Sequence, residues 1–173
     1  NSMKKIISAY IELTKPRITM LVLVTAYLGY YLALRSQNDH MHSLESWIVL
    51  FYLLLGTWTT SAAAAVFNQV LEHGQDAKMS RTKHRPLVQG TVQLIPSLIF
   101  GVILGVSGFV LLYILINPLT AWISASTILL YIFVYTPSKR ITTWNTIIGS
   151  IPGALPPVGG WTAATGSLDA PAW

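Results

Sequence analysis

Three polar side chains recur along the sequence at the spacing of about one helical turn. Asn68, Glu72 and Asp76 are each four residues apart, and a helix that rises about 1.5 Å per residue places them on one face within roughly 12 Å. Carboxylate and amide oxygens suit Mg²⁺, which also binds water and phosphate oxygens. This donor strip therefore predicts a magnesium site with catalytic and metal-binding roles for all three residues. The same spacing would also suit ordinary polar residues where a helix leaves a membrane.

Positive charge follows the donor strip directly. Four cations lie between residues 78 and 85, namely Lys78, Arg81, Lys83 and Arg85. Arginine makes planar bidentate contacts with phosphate, and lysine acts as a point charge. Beside a metal site, such a segment would attract a polyanion. A basic loop is also what orients many membrane proteins, so that interpretation stays open.

A second polar group comes later, in a predicted turn over 135–140 and at the start of the helix that follows. If both segments face the same side, they could hold a diphosphate between them. We assign diphosphate binding to the cations of the two segments and to two neutral residues beside them. The set is Arg81, Lys83, Arg85, Lys139 and Arg140, with Tyr135 and Asn145.

The elements that must position these residues are long and apolar. Of the 173 residues 53% are hydrophobic and 10% charged, against roughly a quarter charged in a soluble domain. Four stretches carry no charge: 18–34, 46–71, 86–138 and 141–168. Because a span needs about 20 apolar residues, they predict about five transmembrane helices, near 18–34, 47–71, 94–116 and 119–136 and from 145 onward. We expect Asn117-Pro118 to break the third stretch and a basic amphipathic segment over 3–15 to precede the first span.

The charges define two sides of the predicted bundle. Ten of the eleven Lys and Arg residues fall on one side, and Arg35 alone falls on the other. The positive-inside rule then places the N-terminus and the loops 73–90 and 137–142 inside. Because the net charge of +5 is explained by this orientation, it does not indicate a nucleic-acid partner. With no cysteine, disulfide scaffolds, thiolate metal sites and cysteine nucleophiles are excluded. The Gly- and Pro-rich fifth span, which contains Gly149 and Gly153, would suit a helix that lines a cavity.

Two long motifs resemble a known family. The pattern N-x3-E-x3-D-x2-M-x-R-T-x2-R-P-L over residues 68–87 resembles the first acidic motif of the intramembrane UbiA-type prenyltransferases. Its ending is similar to that of the protohaem IX farnesyltransferase (haem O synthase) branch. A second block over 135–161 and the Lys15-Pro16-Arg17 entry to the first span agree with this. The resemblance covers residues 8–173.

The resemblance implies an all-α polytopic bundle of roughly nine helices with a central cavity. We expect residues 1–173 to form one transmembrane domain, the N-terminal part of that bundle, with Asn1 and Ser2 an expression remnant. In the family a second acidic motif binds a second Mg²⁺, and no such motif occurs in this sequence. We therefore do not expect this part alone to be active.

The implied reaction transfers the farnesyl group of farnesyl diphosphate to a vinyl group of haem B. The implied partners are both substrates, the lipid bilayer and haem A synthase or oxidase assembly factors. We expect the setting to be the bacterial cytoplasmic membrane rather than the mitochondrial inner membrane. Two alternatives stay open: a related enzyme that prenylates a quinone precursor or accepts a chlorophyll-type alcohol, and, in another class, a transporter or a non-enzymatic assembly subunit.

Overall fold

The computed structural model describes residues 2–38, 41, 43–141 and 144–173, without the side chains of Lys139, Arg140, Ile141 and Asn145. Within these ranges the regular structure is entirely helical, as predicted. The α-helices, in chain order, are α1 Ser2–Leu13, α2 Pro16–Ser36, α3 Leu44–Asp76, α4 Leu94–Leu115, α5 Pro118–Leu130, α6 Thr136–Ile141 and α7 Asn145–Thr165. A π-helical turn, Tyr131–Tyr135, joins α5 to α6, and a short 3₁₀ turn, Ala170–Ala172, follows α7.

The N-terminal helix α1 has one buried apolar face and one exposed apolar face. Ala9 and Leu13 are buried against α3 and the segment before α4, whereas Ile7 and Ile11 are exposed. Such a division suits a helix that packs on the bundle and rests in the membrane interface. The predicted amphipathic segment ahead of the first span is thus confirmed as a helix.

The longest helix, α3, extends well past the thickness of a bilayer core. Its 33 residues correspond to roughly 50 Å at 1.5 Å per residue, against a hydrocarbon core of about 30 Å. The Ser43 side chain accepts a hydrogen bond from the Ser46 backbone and caps the N-terminus. The excess length leaves the C-terminal end of α3, with the donor strip, toward one end of the bundle.

The predicted break at Asn117-Pro118 is confirmed. The Asn117 Oδ1 atom accepts a hydrogen bond from the Thr120 backbone N–H at 2.8 Å, which caps α5, and Pro118 occupies its first turn. The Asn117 amide also donates to the Thr162 carbonyl of α7 at 2.9 Å. One side chain therefore both starts α5 and ties it to α7.

Helix α7 runs unbroken through three prolines and packs closely on α2. A Cβ atom on Gly160 would overlap the Ala26 carbonyl, and one on Gly29 would overlap the Pro157 carbonyl. Glycine at both positions is what lets the two backbones approach. The small residues of α7 are therefore needed for packing as well as for lining a cavity.

In the part of the chain that the structure describes, four helical segments are long and apolar enough to cross a membrane: Pro16–Ser36, Leu44–Asp76, Leu94–Leu115 and Pro118–Ser138. The fifth predicted span is a 21-residue helix, α7, but it is not among the four, because glycine and proline lower its mean hydropathy. The predicted turn over 135–140 is wrong, since the π-helical turn leads directly into α6 and prolongs the span. Large apolar side chains such as Ile103 and Ile114 lie exposed on α4, as expected for a surface that faces lipid.

Candidate functional site

The donor strip lies on the C-terminal part of α3. Asn68 is completely buried, Asp76 is 4% exposed, and the Glu72 side chain is 13% exposed. All three belong to one unbroken helix, so the predicted single face is confirmed. Because charged side chains are rarely buried without a partner, the carboxylates of the strip are expected to have cations beside them.

One of the predicted diphosphate ligands, Arg85, lies directly on the carboxylates. Its Nη1 atom forms an ion pair with Asp76 Oδ2 and lies 4.0 Å from Glu72 Oε2. The Thr82 hydroxyl donates to the Asp76 carbonyl oxygen at 2.9 Å, which folds the basic segment back on the end of α3. The segment that follows the strip thus supplies its counter-charge.

The amide of Asn68 is held from two other helical segments. Lys15 Nζ donates to Asn68 Oδ1 at 2.8 Å, and Asn68 Nδ2 donates to Thr136 Oγ1 at 3.3 Å. Thr136 in turn donates to the Tyr131 carbonyl at 2.8 Å. The start of α2, the strip and the π-helical turn are therefore connected by one chain of hydrogen bonds.

A cavity of about 380 Å³ lies beside the strip, between α2, α3, α5 and α7. Along α3 its lining extends from Leu53 to Ala65, roughly 18 Å of helix axis, and ends one turn before Asn68. Lys15 lines it, as do hydroxyl residues such as Thr60 and Ser124. The volume is that of a typical small-molecule site, and the charged strip is nearest to one end.

Two tyrosines of the π-helical turn line the same cavity. The rings of Tyr131 and Tyr135 have centroids 5.1 Å apart, and both face the cavity beside Gly149. Isolated π-turns inside helices are frequent at functional sites, and here the turn presents two phenol groups where the cavity meets the strip.

Glycine at position 149 makes room for one of these rings. A Cβ atom there would lie 2.6 Å from Tyr135 Cε2, whereas one on Gly153 would meet nothing within 4 Å. Gly153, Pro152, and Pro156 line the cavity with Gly149, so the prediction that this helix lines a cavity is confirmed.

For the remaining predicted site residues, the described part of the structure gives no contact with the strip. Arg81 and Lys83 have exposed side chains on the basic segment. The side chains of Lys139, Arg140 and Asn145 lie outside the described residues, so their assignment stays a prediction.

The oxygens of the strip fit Mg²⁺ by their chemistry. Among the described residues no three His, Cys, Asp or Glu side chains lie close enough to hold a metal ion, so an ion here would need the Asn68 amide, water or phosphate oxygens as well. Mg²⁺ commonly binds through one or two carboxylates together with substrate phosphates. The cations Lys15 and Arg85, which contact the strip, show that it attracts positive charge.

Sequence reasoning missed three residues of the site: Lys15, Tyr131 and Thr136. The sequence indicates Lys15 only as a topological charge and as part of the entry motif of the first span, and Thr136 only as part of a motif. Their side chains reach the strip because α2 and the π-helical turn pack beside α3, a contact that no local spacing reveals. The four-residue spacing of Tyr131 and Tyr135 on one helix is the one signal that could have indicated the tyrosine pair.

Comparison with known proteins identifies similar sequences. The model of the UbiA prenyltransferase family matches residues 22–173. The chain is 43% identical over 166 residues to a protoheme IX farnesyltransferase of Solibacter usitatus (strain Ellin6076), covering 95% of this chain and 57% of that protein. It is 44% identical over 171 residues to protoheme IX farnesyltransferase 2 of Vibrio campbellii, covering 98% and 54%.

A third similar protein is the protoheme IX farnesyltransferase of Idiomarina loihiensis, 44% identical over 164 residues, with 94% of this chain and 53% of that protein covered. The chain spans about half the length of these curated relatives, and no solved structure matches it. The family model covers most of the chain. The long apolar helices of the chain are those of an integral membrane protein. The chain belongs to the UbiA prenyltransferase family.

Proposed function

We propose that the protein transfers a farnesyl group from farnesyl diphosphate to a vinyl group of haem B, giving haem O. One observation carries the proposal: the carboxylates of Glu72 and Asp76, paired with Arg85, lie on α3 just beyond one end of a cavity, and Lys15 connects that cavity to the strip. The relatives named as protoheme IX farnesyltransferases support the choice of substrates. Membership of a prenyltransferase family favours an enzyme over a transporter or an assembly subunit.

The chemical difficulty is charge separation away from water. The C–O bond between the farnesyl carbon and the diphosphate breaks, and a new C–C bond forms with the terminal vinyl carbon of the haem. Water then adds to the resulting cation with loss of a proton, which gives a hydroxyethylfarnesyl side chain. The balance requires one farnesyl diphosphate, one haem and one water, and it releases diphosphate and a proton.

The protein's own residues serve the two ends of this reaction. Arg85 and Lys15 place positive charge where diphosphate oxygens would lie, and preorganised charge is the main means of stabilising a leaving group. The apolar walls from Val22, Leu53 and Ile123 would hold the isoprenoid chain and exclude bulk water from an allylic cation. Tyr131 and Tyr135 would face that cation with their electron-rich rings.

Magnesium is part of the proposal. Asn68, Glu72 and Asp76 would hold it, and when bound it supplies positive charge that neutralises the diphosphate oxygens. Arg81, Lys83, Lys139 and Arg140 would add positive charge around the same anion, and Asn145 would contribute a hydrogen bond. These assignments rest on the motif and on the position of the strip.

The proposed setting is the cytoplasmic membrane of a bacterium, with the N-terminus and the donor strip inside. The strong bias of Lys and Arg to one side supports this orientation, and the bacterial relatives support the source. Haem A synthase or oxidase assembly factors are proposed partners, since a membrane-embedded haem product must pass to another membrane protein.

The test uses membranes that contain the full-length protein and lack haem O. Farnesyl diphosphate and haem B are supplied with Mg²⁺, and extracted haems are measured by mass. We expect a farnesylated, hydrated haem with wild-type protein, almost none with Asp76→Asn or with a chelator, and wild-type amounts with Asp169→Asn, which changes an exposed carboxylate near the end of the chain. If only haem B is recovered from wild-type membranes, the acceptor is wrong, and parallel reactions with quinone precursors would show whether prenyl transfer occurs at all.

A further inference from the structure

Lys15 has a backbone conformation that a lysine rarely adopts. Its φ and ψ angles are 47° and 64°, in the left-handed region that favours glycine and asparagine. It immediately precedes Pro16, the first residue of α2, and its carbonyl accepts hydrogen bonds from Ile18 and Thr19. A strained backbone at a non-glycine residue indicates that the surrounding contacts, including those of the side chain, hold it in place.

The lysine side chain crosses from α2 to the donor strip. Its Nζ atom donates to Asn68 Oδ1 at 2.8 Å, and Asn68 has no exposed surface. Because Asn68 Nδ2 donates to Thr136, the orientation of the amide is determined by both contacts. The same lysine lines the cavity, so its ammonium lies between the strip and the space where a ligand would enter.

This arrangement brings two cations into competition for one oxygen. Asn68 Oδ1 is an oxygen of the strip, and an ammonium hydrogen-bonded to it would repel a divalent ion bound to the same atom. A diphosphate carries several charged oxygens, each of which is a stronger acceptor for an ammonium than a neutral amide. When an anion with its metal enters the cavity, the ammonium therefore gains by moving from the amide to the phosphate.

We propose that Lys15 is an exchangeable counter-cation of the donor strip. Without ligand its ammonium occupies Asn68 Oδ1 and disfavours binding of a divalent metal alone. When a metal–prenyl diphosphate complex enters, the ammonium contacts the diphosphate and leaves the amide oxygen to the metal. The strip would then bind metal and diphosphate together rather than metal first. This inference rests on the proposed function.

The exchange predicts effects of opposite sign in one variant. In Lys15→Met, Mn²⁺ alone should bind the purified full-length protein more tightly, by about tenfold, since one partly screened charge next to the ion is removed. Affinity for the unreactive analogue farnesyl thiodiphosphate with Mg²⁺ should fall by about tenfold, because one phosphate contact is lost. Electron paramagnetic resonance of free Mn²⁺ measures the first affinity, and calorimetry measures the second.

The controls separate exchange from loss of structure. Arg17→Met removes an exposed cation two residues away and should change neither affinity, and Lys15→Arg should keep both near wild type. If Lys15→Met does not accumulate, Lys15→Gln keeps a donor for Asn68 without the charge and should show the same two shifts. Weaker or unchanged Mn²⁺ binding in both neutral variants would overturn the proposal.

The proposed function fails by a different result. If wild-type protein does not bind farnesyl thiodiphosphate, the substrate class is wrong, whatever the Mn²⁺ measurements give. If wild-type protein binds the analogue and the neutral Lys15 variants bind it equally well, the role of Lys15 is wrong and the proposed function stands.

Discussion

Gly149 offers the sharpest test of how the cavity is shaped. In the structure this residue lies under the Tyr135 ring, and an alanine Cβ would be 2.6 Å from Tyr135 Cε2. Nonbonded carbon atoms are most stable at about 3.5–4.0 Å, so the substitution Gly149→Ala requires the Tyr135 ring and α7 to move apart by about 1 Å. The backbone on one side belongs to α7, and the ring on the other lines the cavity.

The size of the effect follows from which group moves. Overpacking a well-filled contact lowers the free energy of unfolding by about 1–3 kcal/mol. Moving the Tyr135 ring into the cavity disturbs the bundle less than moving the backbone of α7. A displacement of about 1 Å in a group that contacts substrate can lower a rate by about 10²-fold. We therefore expect Gly149→Ala to lower prenyl transfer by one to two orders of magnitude, with a loss of stability of at most about 3 kcal/mol.

The assay compares Gly149→Ala with Gly105→Ala in the same membranes. The second variant adds the same methyl group on α4, at a residue that does not line the cavity and at an ordinary contact distance of 3.5 Å from Ala63 Cβ, so it should keep wild-type activity. Farnesylated haem is measured by mass and normalised to folded protein, which a thermal unfolding curve in detergent provides. Equal activity of the two variants would refute the argument that Tyr135 must occupy its observed position.

Three further predictions concern stability, each measured by unfolding in detergent. Gly160→Ala should lower the free energy of unfolding by at least about 2 kcal/mol, because its methyl group would overlap the backbone of α2. Gly105→Ala, whose methyl group would make an ordinary contact, should be nearly neutral. Similar losses in the two variants would contradict the close approach of α7 and α2. Asn117→Ala removes the cap of α5 and should cost about 1–2 kcal/mol without changing the activity of folded protein. Arg85→Gln leaves two carboxylates without their cation and should cost about 2 kcal/mol more than the exposed control Arg81→Gln; equal effects would show that the ion pair does not stabilise the end of α3.

Much of the architecture could be predicted because membrane helices are encoded locally. An uncharged apolar run of sufficient length must satisfy its backbone hydrogen bonds internally, so it forms a helix wherever it lies in the chain. The break at Asn117-Pro118 was likewise predictable, since proline favours the first turn of a helix and asparagine caps it. The turn over 135–140 was not, because a π-helical turn depends on how Tyr131–Tyr135 packs against α7 rather than on residue type.

The sequence by itself determined the donor strip, since residues four apart on a helix share a face whatever surrounds it. It also predicted the sidedness of charge from the order of spans and loops, and this orientation stays a prediction. The partners of the strip were decided by the tertiary structure. Lys15 lies 53 positions before Asn68 and Thr136 lies 68 positions after it, and helix packing alone brings such distant residues within hydrogen-bonding distance. The cavity is likewise a property of the assembled helices, because its walls come from α2, α3, α4, α5, α7 and the π-helical turn, and no single segment contains its shape.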